Sequence, residues 1–229
     1  MKLKFNILLV LSVLFTPAIA ANVYAFEVNK TFSGIEIKWD STGVSYGLNP
    51  SGGPAGALAA LQASMETWSE VETADFAFVY NGITSSSAYG TLDYENIVAF
   101  GELPEGILAE NTCWYYTSTG EILDSDIEAN LKYNWATDGS PSTYDLQNVC
   151  THEFGHSLSL DDLYDASDAD KTMYGYAAPG ETKKKTLDED DINGIAYLYP
   201  CLSPPCSANP GFFYLIPGRS GGSTVIYLK

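Results

Sequence analysis

The sequence predicts an α+β domain with a mostly parallel, twisted sheet. Five segments read as strands, one helical pattern lies among them, and two more helical patterns follow. Thr31 to Trp39 carries Phe32, Ile35, Ile37 and Trp39 among polar residues and predicts the first strand. Gly52-Gly53-Pro54 breaks the chain. Ala55 to Val71 then places Leu58, Leu61, Met65 and Trp68 three and four apart, the stripe of an amphipathic helix. Phe76 to Tyr80 and Asn96 to Phe100 are short apolar strands. Leu108 to Tyr116 and Glu121 to Lys132 predict two more, joined by a turn at Ser118-Thr119-Gly120. A second helix is expected from Ser142 or Thr143. A third runs from about Leu187 to Tyr199, with Thr186 as N-cap and Glu189 completing a capping box. Its apolar positions Ile192, Ile195 and Leu198 share one face.

Residues 1–20 stand apart. Lys2 and Lys4 precede an apolar run from Phe5 to Phe15, and Ala18-Ile19-Ala20 offers a small-x-small cleavage site. Val23-Tyr24-Ala25 offers a second, so cleavage is expected after Ala20 or Ala25. The expected product is secreted, either extracellular or periplasmic, with no membrane association once the signal is removed. Residues 26–200 form the expected domain, and 201–229 a tail rich in Pro and Gly. The tail ends in the apolar run Thr224 to Leu228, read as a C-terminal strand, a cysteine-pinned tail or the start of a further module. Without residues 1–20 the chain has nine basic and 29 acidic residues, a formal charge of −20. Such a surface repels nucleic acid, which excludes that class of partner. Four cysteines, Cys113, Cys150, Cys201 and Cys206, in an exported chain predict two disulfides of open pairing.

The chain has two histidines, both in His152-Glu153-Phe154-Gly155-His156. Residues four apart on a helix lie on one face. Two imidazoles so placed can hold one metal ion, with Glu153 beside them to handle a proton. HExxH also arises by chance in proteins without metal, so its continuation matters. Ser157 to Asp162 follows directly, and then Met173-Tyr174. Metalloproteases of the metzincin class read HExxHxxGxxH and then a Met-turn. Aligned on His152, Ser159 holds the glycine place and Asp162 the place of the third histidine. Asp162 is the expected third ligand, with Asp161 a competitor one residue off register. A gluzincin arrangement would instead use Glu181 or Glu189, and a dead metzincin-like binding module would hold a cation without cutting.

Over roughly residues 31 to 200 the chain resembles a matrixin. The resemblance rests on Gly106-Ile107-Leu108-Ala109, Gly120-Glu121-Ile122, His152 to Asp162, Met173-Tyr174, and Asp190-Asp191-Ile192-Asn193-Gly194-Ile195 leading to Leu198-Tyr199. It implies a five-stranded sheet with an antiparallel edge strand, three helices, and a cleft below that edge. It implies one catalytic Zn2+ on His152, His156 and Asp162, Glu153 as catalytic base, and Met173 in the Met-turn. Protein or peptide substrates would bind against Leu108, Ala109 and Tyr174, and the enzyme would act as a monomer. The family's structural zinc is not expected, since no further histidine exists. Ca2+ is a second candidate cation, for the carboxylates Glu110, Asp124, Asp126 and Glu128. The loop from Tyr176 to Lys185 would wall the specificity pocket. Within it, Lys183-Lys184-Lys185 is the one basic cluster and reads either as an attractor of acidic substrates or as a solvated loop.

Overall fold

The computed structural model describes residues 25–202, Cys206 and the backbone of 225–228. The expected signal peptide lies outside the described residues, as does most of the tail. Within them the elements run β1 (Gly43–Leu48), α1 (Ala57–Ser69), β2 (Ala77–Ile83), β3 (Ile97–Gly101), β4 (Ala109–Tyr116) and β5 (Ile122–Asn130). Then come the short β6 (Trp135–Ala136) and β7 (Tyr144–Asp145), α2 (Leu146–Ser157), α3 (Glu189–Leu198) and β8 (Val225–Leu228).

The main sheet has the order β2-β1-β3-β5-β4-β8. β1 is parallel to β2 and β3, β3 is parallel to β5, and β4 returns antiparallel to β5. This is the expected mixed sheet of five strands with one antiparallel member, carrying three helices. β8 adds a sixth strand, antiparallel to β4 and paired with Cys113–Tyr116 alone.

The first strand corrects the reading of residues 31–39. That segment turns back on itself at Gly34, whose φ is 83°, and makes isolated bridges Lys30↔Glu36 and Lys38↔Glu121. Phe32 points into solvent, while Ile37 and Trp39 alone of its alternating residues enter the core. The true β1 buries Val44, Tyr46 and Leu48 on one face. Its glycines and the preceding Ser41-Thr42 hide that alternation in the sequence.

Two helix starts also move. α2 begins at Leu146, because Tyr144-Asp145 first pairs with Trp135-Ala136. The Asp145 carboxylate then accepts the Asn148 N–H at 3.0 Å as N-cap. α3 has a capping box two residues later than expected, built by Asp188 and Asp191 instead of Thr186 and Glu189.

The core packs α1 and α2 against one another and each against the sheet. Phe154 of α2 meets Tyr46 edge-on at 5.1 Å and Phe78 at 4.8 Å. Trp68 of α1 donates its indole N–H to the Thr151 carbonyl at 2.8 Å. Aromatic burial on this scale, about 1.5–3 kcal/mol per side chain, fixes the helix that carries both histidines.

One disulfide forms among the described residues, Cys201–Cys206, where two were expected. Cys113 and Cys150 are free and buried. The Cys113 thiol sits against Asn111 and Ser125 in a polar cluster of the sheet, and Cys150 packs into the apolar core from α2. Burial pushes the Cys113 thiol up to about 12, as befits an inert structural cysteine.

Candidate metal centre

α2 delivers His152 and His156 from successive turns, their rings edge-on at 4.7 Å. The helix ends at Ser157, and the chain turns at Ser159 with φ 76°. That left-handed residue stands where the metzincin pattern has glycine. The turn is held by Ser159 N–H to the His156 carbonyl at 2.8 Å and Leu160 N–H to the Gly155 carbonyl at 3.0 Å. The N-terminal segment covers it, with Asn29 N–H on the Ser159 carbonyl and Asp161 N–H on the Glu27 carbonyl, both at 2.9 Å. This reversal returns Asp162 to the histidines.

Asp162 Oδ1 lies 3.3 Å from His152 Nε2 and 3.6 Å from His156 Nε2. The other ring nitrogens are already used. His152 Nδ1 is 2.8 Å from the Thr172 carbonyl, and His156 Nδ1 is 2.8 Å from the Leu160 carbonyl. A carbonyl only accepts, so each Nδ1 carries the proton. Burial lowers the His152 imidazole to about 4, so it is neutral at neutral pH and its Nε2 is a bare lone pair. Asp162 Oδ1 has no hydrogen-bond partner although it is buried. The donor atoms of His152, His156 and Asp162 lie within 4.8 Å of one another. Acceptors crowded together in this way suit a cation. Two imidazoles and one carboxylate are a fitting donor set for Zn2+ with a fourth position open.

The surroundings orient each donor. Tyr164 donates its hydroxyl to Asp162 Oδ2 at 2.9 Å, which leaves Oδ1 facing the histidines. Asp191 accepts the backbone N–H groups of Thr172 at 2.8 Å and Met173 at 3.2 Å, fixing the Thr172 carbonyl under His152. Met173 is buried beneath the helix, and a Cβ on Gly155 would fall 2.2 Å from its sulfur. Nothing but glycine at that place in HEFGH lets the turn approach so closely.

Glu153 is almost fully buried beside the donors. Burial raises its carboxyl to about 7, against lowering by the nearby His156. A cleft of about 500 Å³ joins these groups to Gly106–Asn111, Val149, Asp161, Gly175–Ala177 and Lys184. Leu108 and Ala109 line it. Tyr174 is not among its lining residues; its ring meets edge-on that of Tyr176, which is. Asp161 lies at the cleft too, but its Oδ1 accepts from Asp162 N–H. Glu181 receives the Asn148 side chain at 3.4 Å, and Glu189 opens α3. Neither joins the cluster of three donors.

The carboxylates named as candidates for calcium lie along β4 and β5. Asp126 accepts the Gly90 and Ile97 N–H groups, and Asp124 accepts those of Asp93 and Tyr94. They fasten the 89–97 loop to β5. Glu110 and Glu128 pair across β4 and β5. Among the described residues, His152, His156 and Asp162 are the one group with three converging donors. Sequence reasoning missed Tyr164, Asp191 and the burial of Lys184. Asp191 had a signal in its place within the Asp190-to-Ile195 phrase; Tyr164 and Lys184 had none.

The sequence pattern of the matrixin family matches residues 38–200, which hold all of these groups. The chain belongs to the matrixin family. Homologues in this family are zinc metalloendopeptidases. This matrixin is 29% identical over 172 residues to human neutrophil collagenase, covering 73% of the chain and 34% of the collagenase. It is 29% identical over 141 residues to human matrix metalloproteinase-27, covering 61% and 26%. It is also 29% identical over 153 residues to metalloendoproteinase 2-MMP of Arabidopsis thaliana, covering 63% and 35%. The chain spans about a third of the length of the curated relatives it matches.

Proposed function

We propose that this matrixin is a secreted, monomeric zinc endopeptidase that hydrolyses peptide bonds in protein substrates, with Glu153 as its catalytic base. The observation that carries the reading is the partnerless Asp162 Oδ1 facing two Nε2 lone pairs, next to a buried glutamate. His152, His156 and Asp162 would hold the metal. Bound there, Zn2+ supplies an acidified water and polarises the scissile carbonyl.

Glu153 takes the proton of the attacking water and passes it to the leaving amine. The substrate lies extended in the cleft, against Ile107, Leu108 and Ala109 where β4 begins, and binds through main-chain hydrogen bonds. Secretion rests on the basic and apolar run of residues 1–20. Among the described residues no helix is long and apolar enough to cross a membrane.

The test is cleavage of an unfolded protein substrate by wild type and Glu153→Ala, with metal analysis of both. The expected result is zinc in both and cleavage by wild type alone. Equal cleavage by the two would overturn the assignment. Zinc without cleavage by either would favour a binding module.

A further inference from the structure

Lys184 is the most unusual cation in the molecule. It is 2% exposed, yet it lines the same cleft as His152, Glu153 and Asp162. Lysine is almost never buried to this degree unless it is paired. Its ammonium donates to the Tyr174 carbonyl. Among the described residues no carboxylate lies within 4.0 Å of it, although other lysines of the chain have such partners. An ammonium has three donors, and one acceptor leaves two unspent. Burial lowers its ammonium from the usual lysine value, against the raising charges of Glu181, Glu153 and Asp162. The charge is therefore felt at the reacting centre. Lys184 is also held in place, since its backbone N–H donates to Asn148 Oδ1 of α2 at 2.8 Å.

We infer that Lys184 is a specificity-determining residue that receives an acidic side chain, Asp or Glu, flanking the scissile bond of the substrate. A carboxylate entering the cleft would complete the hydrogen bonds of a cation already stripped of water, so the protein has met the desolvation cost on its own side beforehand. The acidic surface of the chain opposes such a substrate at long range, but that repulsion is screened within about 10 Å in ordinary salt. Contact inside the cleft is not screened in this way. Lys183 and Lys185 play no part: Lys185 pairs with Asp145 at 2.7 Å, and Lys183 reaches Asp170 at 3.6 Å.

The inference rests on the endopeptidase reading, and its test separates the two. Matched peptides differ only in Glu against Gln at the positions flanking the bond that wild type cuts in an unfolded protein mixture. If it cuts none, the pair is drawn from a random library. Their affinities for zinc-loaded Glu153→Ala protein are measured by fluorescence anisotropy, and their kcat/KM values with wild type. Glu is expected to be favoured by about tenfold or more, the worth of one charge-assisted hydrogen bond, and the preference should persist at high salt. In Lys184→Met the ratio should fall to about one, and in Lys184→Glu it should favour a Lys-bearing peptide. A merely structural lysine would alter stability without moving the Glu-to-Gln ratio. A ratio near one in wild type, or an unchanged ratio in Lys184→Met, overturns the inference while cleavage stands. Acidic preference in binding with no cleavage supports the inference and removes the endopeptidase reading. Failure of every peptide to bind overturns both.

Discussion

Nδ1 of His152 lies 2.8 Å from the Thr172 carbonyl, and that carbonyl belongs to a turn held by Asp191 of α3. The last helix therefore orients the first histidine through two backbone groups. Asp191 is 1% exposed and accepts N–H groups from Thr172, Met173 and Asp188. Replacing it with Ala leaves buried donors without acceptors, at about 1–3 kcal/mol each. Asp191→Ala should lose a few kcal/mol in urea unfolding, and its zinc affinity should fall about 10–100-fold in a chelator competition. Destabilisation with unchanged zinc affinity would show that Asp191 caps α3 without orienting His152.

Gly155 and Met173 should be energetically coupled. Gly to Ala inside a helix ordinarily gains about 1 kcal/mol. Here the new methyl would meet Met173 Sδ at 2.2 Å and Trp68 Cζ2 at 3.0 Å. Both neighbours are buried and fixed, so overpacking should reverse the sign, to a loss of about 1–3 kcal/mol. In a Met173→Ala background the loss should shrink. A double-mutant cycle with no coupling would show that the Met-turn relaxes away from the helix.

Ser159→Gly should stabilise the protein. Ser159 has φ 76°, a conformation costing a non-glycine residue about 1–2 kcal/mol. Its hydroxyl is buried without a partner. Glycine removes both penalties and loses about 0.5–1 kcal/mol in chain entropy. A net gain of about 1 kcal/mol should raise Tm by about 2–4 °C in a domain of this size. A lower Tm would mean that the hydroxyl has a role within the turn that its lack of partners conceals.

The centre was more legible in the sequence than the start of the sheet. HExxH needs helical spacing alone, and Asp162 follows once the turn at Ser159 is granted, because six residues suffice to close the third side. Residues 31–39 misled for a physical reason. Alternation shows which residues can be half-buried, but Ser33-Gly34 lets the chain reverse, and Phe32 then falls into solvent. β1 was hidden because glycines fill alternate places in its pattern. Cysteine number suggested two bridges, yet tertiary burial decides pairing, and it put Cys113 in the sheet's polar cluster and Cys150 in the core. The burial of Lys184 depends on α2 and the Met-turn loop meeting, which no local pattern encodes.

Asp126 should give the metal-free protein a distinct pH signature. Burial, and next the charge of Asp124, raise its carboxyl from 3.8, its ordinary value, to about 7, despite hydrogen bonds from Ile97 and Gly90. The folded state thus holds this proton more tightly than the unfolded chain does. The group's contribution to stability is fully present below about pH 4 and is lost as pH rises through about 7. His152 runs the other way: its imidazole is lowered from 6.5 to about 4, so its contribution is lost as pH falls through that window. Comparing wild type with Asp126→Asn separates the two, because His152 is common to both. Between pH 4 and 7 the stability of wild type relative to the variant should fall with a slope approaching about one proton, measured by urea unfolding in chelator. Parallel curves would mean that Asp126 stays ionised in the fold and that its backbone donors outweigh burial.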